Sequence, residues 1–287
     1  MLFRSPYAPH DIGVYPLGEG QVYGGGERTE EGQMPVEESA NMLLLVAATC
    51  RAEDSGAFAK EWWPILSEWA AYLRKKGFDP AHQLCTDDFA GPFAHNVNLS
   101  LKAILALGAY AQLALLVGDE SEALASRNLA ERFAKRWLKE ADEGDHYRLA
   151  FDQPGTWSTK YNLIWDGILG LGLFPPEVAT KETAWYRQVA HEFGTSLDSR
   201  NEFAKTDWAL WAASLAPDEE AFSALVDPIW RFLNQVPERN PITDLYWVKT
   251  GHEAAMHARP VMGGAFVRLL QEPALWARWA GQGEQEY

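Results

Sequence analysis

The sequence predicts an all-α protein, an (α/α)6-type toroid of αα-hairpins with the ring incomplete and five hairpins legible. Three observations predict it. Apolar residues recur with a helical period nearly throughout, and no stretch sustains period-two alternation. The helical segments are of two kinds, one apolar almost all round and one amphipathic. The two kinds alternate, with the apolar segments starting near residues 38, 96, 158, 205 and 252. A spacing of roughly 50 to 60 residues per pair marks repeated hairpins in which one helix is enclosed and the other faces water. Inner helices are expected over 38–51, 96–117, 158–173, 205–215 and 252–271, with no sheet larger than a short hairpin.

Taken in order, residues 1–33 read as an N-terminal extension over the rim of a domain spanning 34–287. Within it "YGGGERTEEGQ" is a mobile loop, since it lacks the strand and helix context of a phosphate loop. The first inner segment, "NMLLLVAATC", follows Glu37 and Glu38, acids that the exposed N–H groups and dipole of a first helical turn favour. In the outer segment "AFAKEWWPILSEWAAYLRKKGF", Phe58, Trp62, Ile65, Trp69 and Leu73 keep one face, and Pro64 predicts a kink or a late start. "NLSLKAILALGAYAQLALLV" is the second inner helix, and "ESEALASRNLAERFAKRWLKEA", with Leu129, Phe133 and Trp137 on one stripe, is its outer partner. "YNLIWDGILGLGLF" with "ETAWYRQVAHEFG", and "DWALWAASLA" with "DEEAFSALVDPIWRFLNQ", repeat the pattern.

A chain of 287 residues can bury a large core, and a net charge of -15 excludes a phosphate backbone or an anionic membrane surface as partner. No apolar run reaches the roughly 18 to 20 residues of a membrane span, and the first ten residues carry no export signal, so a soluble chain is expected, its compartment unknown. Cys50 and Cys85 are too few for a disulfide framework and lack metal-ligand spacing, so they read as buried free thiols. No metal or cofactor is expected. Most of the 13 Trp and 10 Tyr must be core, but such rings also stack on sugars.

Parallel inner helices would gather five preceding loops on one rim, and these loops hold the unusual residues: "MPVEESAN", "CTDDFAGPFAHNVN", "FDQPGTWSTKYN", "SLDSRNEFAKTDW" and "DLYWVKTGHEAAMHARPVMGG". Together with "APHDIGVYP", the motifs "MPVEESANM", "LCTDDFAGPFAHNVNLSLKAI", "SLDSR" with "KTDW", and "ARPVMGG" resemble the six-hairpin, glycosidase-like domain of the glutaminase A family, over about residues 7–270. The resemblance implies an (α/α)6 toroid, a fold shared with many glycoside hydrolases, and the family name implies hydrolysis of the glutamine side-chain amide. Relatives carry further helices and a β-rich domain upstream of "APHDIG" and are often secreted, so this chain reads as a truncation. An open ring predicts a homodimer sealing the gap or the N-terminal segment folding across it.

Each motif has a structural role beside a functional one. Glu37 and Glu38 suit a helix start; Asp87 and Asp88 suit a turn; His95, Asn96 and Asn98 suit caps; Asp207, with Lys205 two residues before it, suits an N-cap. Asp198 and Arg200 read as a local ion pair. Trp157, Tyr161, Trp208 and Trp247 divide between core packing and ligand stacking. Glu253 and His257, four apart, lack a third convergent ligand for a metal. Glycoside hydrolysis needs two carboxyl groups, about 5 Å apart for retention or roughly 6.5 to 9.5 Å for inversion. Amide hydrolysis adds a nucleophile or metal-bound water and an oxyanion hole, for which Ser39, Cys85, Thr86 and His95 are the nearest candidates. The residues therefore predict a carbohydrate-active hydrolase with Asp88 as proton donor, Glu38 as its carboxylate partner and Asp207 as the substitute. Glu37, Asp87, His95, Asn96, Asn98, Trp157, Tyr161, Lys205, Trp208, Trp247 and Arg259 are the expected substrate contacts. The alternatives are a glutamine amidohydrolase and a non-catalytic carbohydrate-binding remnant. In each case the partner is a small molecule, an oligosaccharide or a glutamine-like compound.

Overall fold

The computed structural model describes residues 6–9, 33–238, 241–272, 274 and 278. The expected glycine-rich loop at 23–33 lies, apart from Gln33, outside the described residues, as does most of the N-terminal extension. The chain is mostly helical and divides into two compact units, one of residues 1–141 with 150–152 and one of 142–149 with 153–287.

The first unit holds two helical hairpins, α1 (Pro35–Ala52) with α2 (Ala57–Lys76) and α3 (Val97–Val117) with α4 (Glu120–Glu140). Helix α3 is its centre, packed against the other three. Its N-terminus is capped by Asn96, whose Oδ1 accepts from the Leu99 N–H at 2.9 Å, and its C-terminus closes on Gly118 in the left-handed region at φ 90°. The helix is long and apolar enough to cross a membrane by length and composition, against the expectation from its sequence, but 78% of that window is buried inside the protein. The first unit also holds Tyr7, packed on Tyr72 at 5.3 Å between ring centroids. Next to it, the Ala8 N–H donates to Ser39 Oγ at 3.0 Å.

Two expected faces are corrected by packing. Helix α2 starts seven residues before Pro64, not after it; Pro64 is on the exposed side, where a missing N–H leaves no buried carbonyl unsatisfied. Its buried face is Ala59, Leu66, Trp69, Ala70 and Leu73, while Phe58 and Trp62 stay exposed. In α4 the buried residues are Ala123, Ser126, Ala130, Ala134 and Trp137, whose indole N–H donates to the Val97 carbonyl at 2.9 Å, while Leu129 and Phe133 are half-buried.

The second unit contains α5 (Ile164–Ile168), α6 (Pro176–Gln188), β1 (Phe203–Lys205), α7 (Thr206–Ala213), α8 (Glu219–Gln235), β2 (Thr243–Trp247) and β3 (Glu253–His257). The expected inner helix over 158–173 shrinks to a 3-10 turn, Tyr161–Leu163, and the five residues of α5. Gly170 and Gly172 at positive φ, followed by two prolines, stop the helix there. The expected helix over 252–271 is likewise absent. Residues 253–257 form β3 of a three-stranded antiparallel sheet in the order β1-β2-β3, larger than the hairpin anticipated, and Pro260–Gln271 forms a 3-10 helix. Pro260 disfavours helical backbone at Arg259, which sits at ψ 143°, so the segment before it is extended and pairs with β2.

Candidate functional site

In the first unit the loop before α3 is fastened to the first turn of α1. The Val36 N–H donates to Gln83 Oε1 at 3.0 Å, and the Thr86 hydroxyl donates to Glu37 Oε1. The same Glu37 oxygen takes a bond from Lys102 Nζ, which also donates to Asn41 Oδ1 at 2.9 Å. Asn41 Nδ2 in turn donates to Glu38 Oε2 at 3.1 Å. Glu37 and Lys102 are each 3% exposed. A lone lysine inside an apolar helix is thus explained by a carboxylate that the neighbouring helix start delivers to it.

The adjacent acids of "TDDF" divide in the same way. Asp87 is buried, and its Oδ2 accepts from Asn96 Nδ2 at 3.3 Å and Asn98 Nδ2 at 3.2 Å. Asp88, half-buried in the 3-10 turn Asp88–Ala90, accepts from the Cys85 N–H at 3.1 Å. Glu38 is also half-buried. Glu37 and Asp87 therefore hold the site together, while Glu38 and Asp88 keep part of their surface in contact with solvent. Asn96 and Asn98 face this cluster; His95, at φ 63°, turns away to an exposed Asp79 at 2.7 Å, and that carboxylate raises its imidazole pKa.

The candidate nucleophiles of this region are engaged elsewhere. Burial, followed by the charges of Asp87 and Glu37, pushes the Cys85 thiol well above its ordinary range, with Asp88 adding to the effect. A thiol so held is not a thiolate at neutral pH. Ser39 is fully buried against Ala8, and Thr86 is bonded to Glu37.

The second unit has its own buried charge cluster. Lys205, at the end of β1, lies 2.7 Å from Asp244 Oδ2 on β2 and 3.1 Å from Asp207 Oδ1 in the first turn of α7; Arg259 reaches Asp244 at 3.5 Å. Asp207 is not an N-cap: Lys205 holds that position and no side chain caps the helix. Desolvation raises the Asp207 pKa, with Lys205 opposing the rise and Asp244 adding to it. Trp208 stacks on Tyr161 with centroids 4.5 Å apart, below Lys205 at 5.6 Å. Trp247 is exposed at the end of β2, edge-on to Phe203. Trp157 is half-buried in a loop beside Asp198 and Arg200, which form the local ion pair expected of them at 2.6 Å.

Two charged residues of these clusters have no counterpart among the expected contacts. Lys102 was signalled by its isolation in an apolar run; Asp244, in "TDLYW", carried no signal until strand pairing brought it to Lys205. Among the described residues no three His, Cys, Asp or Glu side chains group to hold a metal, and His257 bonds to Glu253 at 2.7 Å.

The chain is similar to Glutaminase A of Aspergillus oryzae (strain ATCC 42149 / RIB 40), 34% identical over 276 residues, covering 93% of this chain and 39% of the relative. It is also similar to a probable glutaminase of Arthroderma benhamiae (strain ATCC MYA-4681 / CBS 112371), 26% identical over 304 residues, covering 93% of this chain and 33% of the relative. It thus spans less than half the length of either. The model of the glutaminase A six helical-hairpin domain matches residues 2–269, which takes in both charge clusters. The chain belongs to the glutaminase A six helical-hairpin domain family.

Proposed function

We propose that this chain carries a two-carboxylate hydrolytic site on the first turn of α1 and the "TDDF" loop, with Asp88 as proton donor and Glu38 as the base that activates water. The supporting observation is the split within each acidic pair: Glu37 and Asp87 are buried and bonded to Lys102, Thr86, Asn96 and Asn98, whereas Glu38 and Asp88 keep exposed surface. The inner acid of each pair is held by side chains from other segments, and its neighbour in sequence stays half-buried with one hydrogen-bond partner named, Asn41 for Glu38 and the Cys85 N–H for Asp88. Glu38 lies in the first turn of a helix, where the exposed N–H groups favour a carboxylate and suit a base, and the proton donor is then assigned to the other half-buried acid, Asp88.

The bond we assign to this pair is glycosidic, because two carboxyl groups are sufficient for it. The names of the relatives favour a second reading, hydrolysis of the glutamine amide. A carboxylate pair sharing a proton activates water in aspartic proteases too, so amide chemistry does not require Cys85 or Ser39 as nucleophile. Reducing sugar released from an oligosaccharide panel supports the first reading, ammonia from glutamine the second, and binding without either product leaves a carbohydrate-binding role. On whichever substrate is turned over, Asp88→Asn is expected to abolish turnover with the melting temperature nearly unchanged. Full activity in that variant would sink the assignment.

A further inference from the structure

The second unit holds a cavity lined by residues of that unit. It measures 480 Å³, within the range of small-molecule sites, and is lined by Trp157, His191, Asp198, Arg200, Asn201 and Glu202 among others. Its walls are built by two short segments that zip together. The Ser199 N–H donates to the Trp157 carbonyl at 2.9 Å, the Thr159 N–H to the Leu197 carbonyl at 2.9 Å, and the Trp157 N–H to Ser199 Oγ at 3.2 Å. This bridge fixes the backbone that carries the Trp157 ring, and the ring meets Trp185 edge-on at 6.4 Å.

The polar side of the cavity is equally fixed. Asp198, 3% exposed, accepts three bonds from Arg200: the backbone N–H at 2.8 Å, Nε at 3.1 Å and Nη2 at 2.6 Å. The guanidinium plane is thereby locked to a carboxylate instead of sweeping through solvent. The charges also balance locally, since Asp198 is paired with Arg200 and Glu202 with Lys249. A cavity without surplus charge selects neither an anion nor a cation. It has an aromatic wall, with Asn201, His191 and the Asp198–Arg200 fork supplying both donors and acceptors. The ligand that matches is neutral, rich in vicinal hydroxyl groups that donate and accept at once, and apolar on one face.

We infer that this cavity binds a neutral saccharide, one sugar ring stacked on Trp157 and its hydroxyl groups bonded to the Asp198–Arg200 fork and Asn201. The choice of ligand class rests on the carbohydrate reading above, while the lining of the cavity includes neither Glu38 nor Asp88. The test is saturation-transfer NMR and calorimetric titration of the full 287-residue chain with neutral mono- and disaccharides at millimolar concentration, with L-glutamine as comparator. At least one saccharide is expected to bind with transfer strongest to its ring C–H protons. Trp157→Ala is expected to weaken it by about tenfold or more, as loss of a stacking platform should, and Asn201→Ala to weaken it less. Because Trp157 is half-buried, the melting temperature of each variant is measured alongside, and Asn201→Ala carries the test if Trp157→Ala does not fold. The inference is overturned if no saccharide binds, if glutamine binds and saccharides do not, or if binding survives both cavity substitutions. Saccharide binding lost with Trp157 but without any turnover would keep this inference and remove the hydrolytic one.

Discussion

The two units handle buried charge differently. In the first, Lys102 pairs with the buried Glu37, which also accepts from the Thr86 hydroxyl, and Asn41 accepts from Lys102; the second buried acid, Asp87, is held by the amides of Asn96 and Asn98. In the second, Lys205 stands between two buried carboxylates, Asp207 and Asp244, with Arg259 at the margin. The first arrangement gives one buried acid a lysine and the other a pair of amides, and leaves the neighbouring acids Glu38 and Asp88 half-buried. The second sets two acids on one lysine with Arg259 at the margin, and burial raises the Asp207 pKa, Lys205 opposing the rise and Asp244 adding to it. What the difference teaches is that the state of a buried acid depends on which partners arrive from other segments, a cation or amide donors, and not on how many acids lie nearby in sequence.

The comparison can be broken most sharply at the two lysines. Lys205→Met leaves two buried carboxylates facing each other, and a loss of about 3–5 kcal/mol in urea denaturation is expected. Lys102→Met strands only Glu37, so its cost is expected at the lower end of that range, about 3 kcal/mol. If the order is reversed, the account in which two buried acids depend on Lys205 is wrong.

A pH series sharpens the same contrast. Desolvation raises the carboxyl pKa values of Asp207 and of Glu182, the latter buried with Lys160 at 3.9 Å, above the ordinary carboxylate range. A carboxyl group whose folded pKa is raised binds more protons in the native state, so its contribution is full below the unfolded value and is lost as pH rises through the folded one. Stability carried by these two groups is therefore expected to fall with rising pH from about 4 upward. Glu182→Gln is expected to reduce the slope of unfolding free energy against pH over that interval. An unchanged slope would remove Glu182 from the account.

The smallest effect concerns the cap that joins helix α3 to the Asp87 cluster. Asn96→Ala removes both the bond to the Leu99 N–H and one of the two amide donors to Asp87, and a loss of about 1–2 kcal/mol in thermal or urea unfolding is expected. Asn96→Asp keeps the cap but sets a second carboxylate against Asp87. It is expected to be worse than alanine if the cluster matters more than the cap, and better if the cap dominates.

The sequence by itself determined the helical class and the hairpin order of the first unit. Those features follow from local periods, from Asn96 and Asp119 as caps of α3 and α4 and from Gly118 as a stop, all of which act within a few residues. The motif-rich loops were legible too, and with them Glu38, Asp88, Asp207 and Lys205 as chemistry worth watching. Only the tertiary structure decided which member of each acidic pair is buried, because burial depends on where Lys102, Asn98 and Thr86 arrive from other segments. It also decided that 253–257 is a strand, since its hydrogen-bond partners lie on β2 and no local period encodes them. Asp244 entered its cluster for the same reason: strand pairing set its carboxylate beside Lys205, 39 residues away in sequence. Helical periods and caps are properties of neighbours along the chain, whereas charge pairing and strand partnership are properties of neighbours in space.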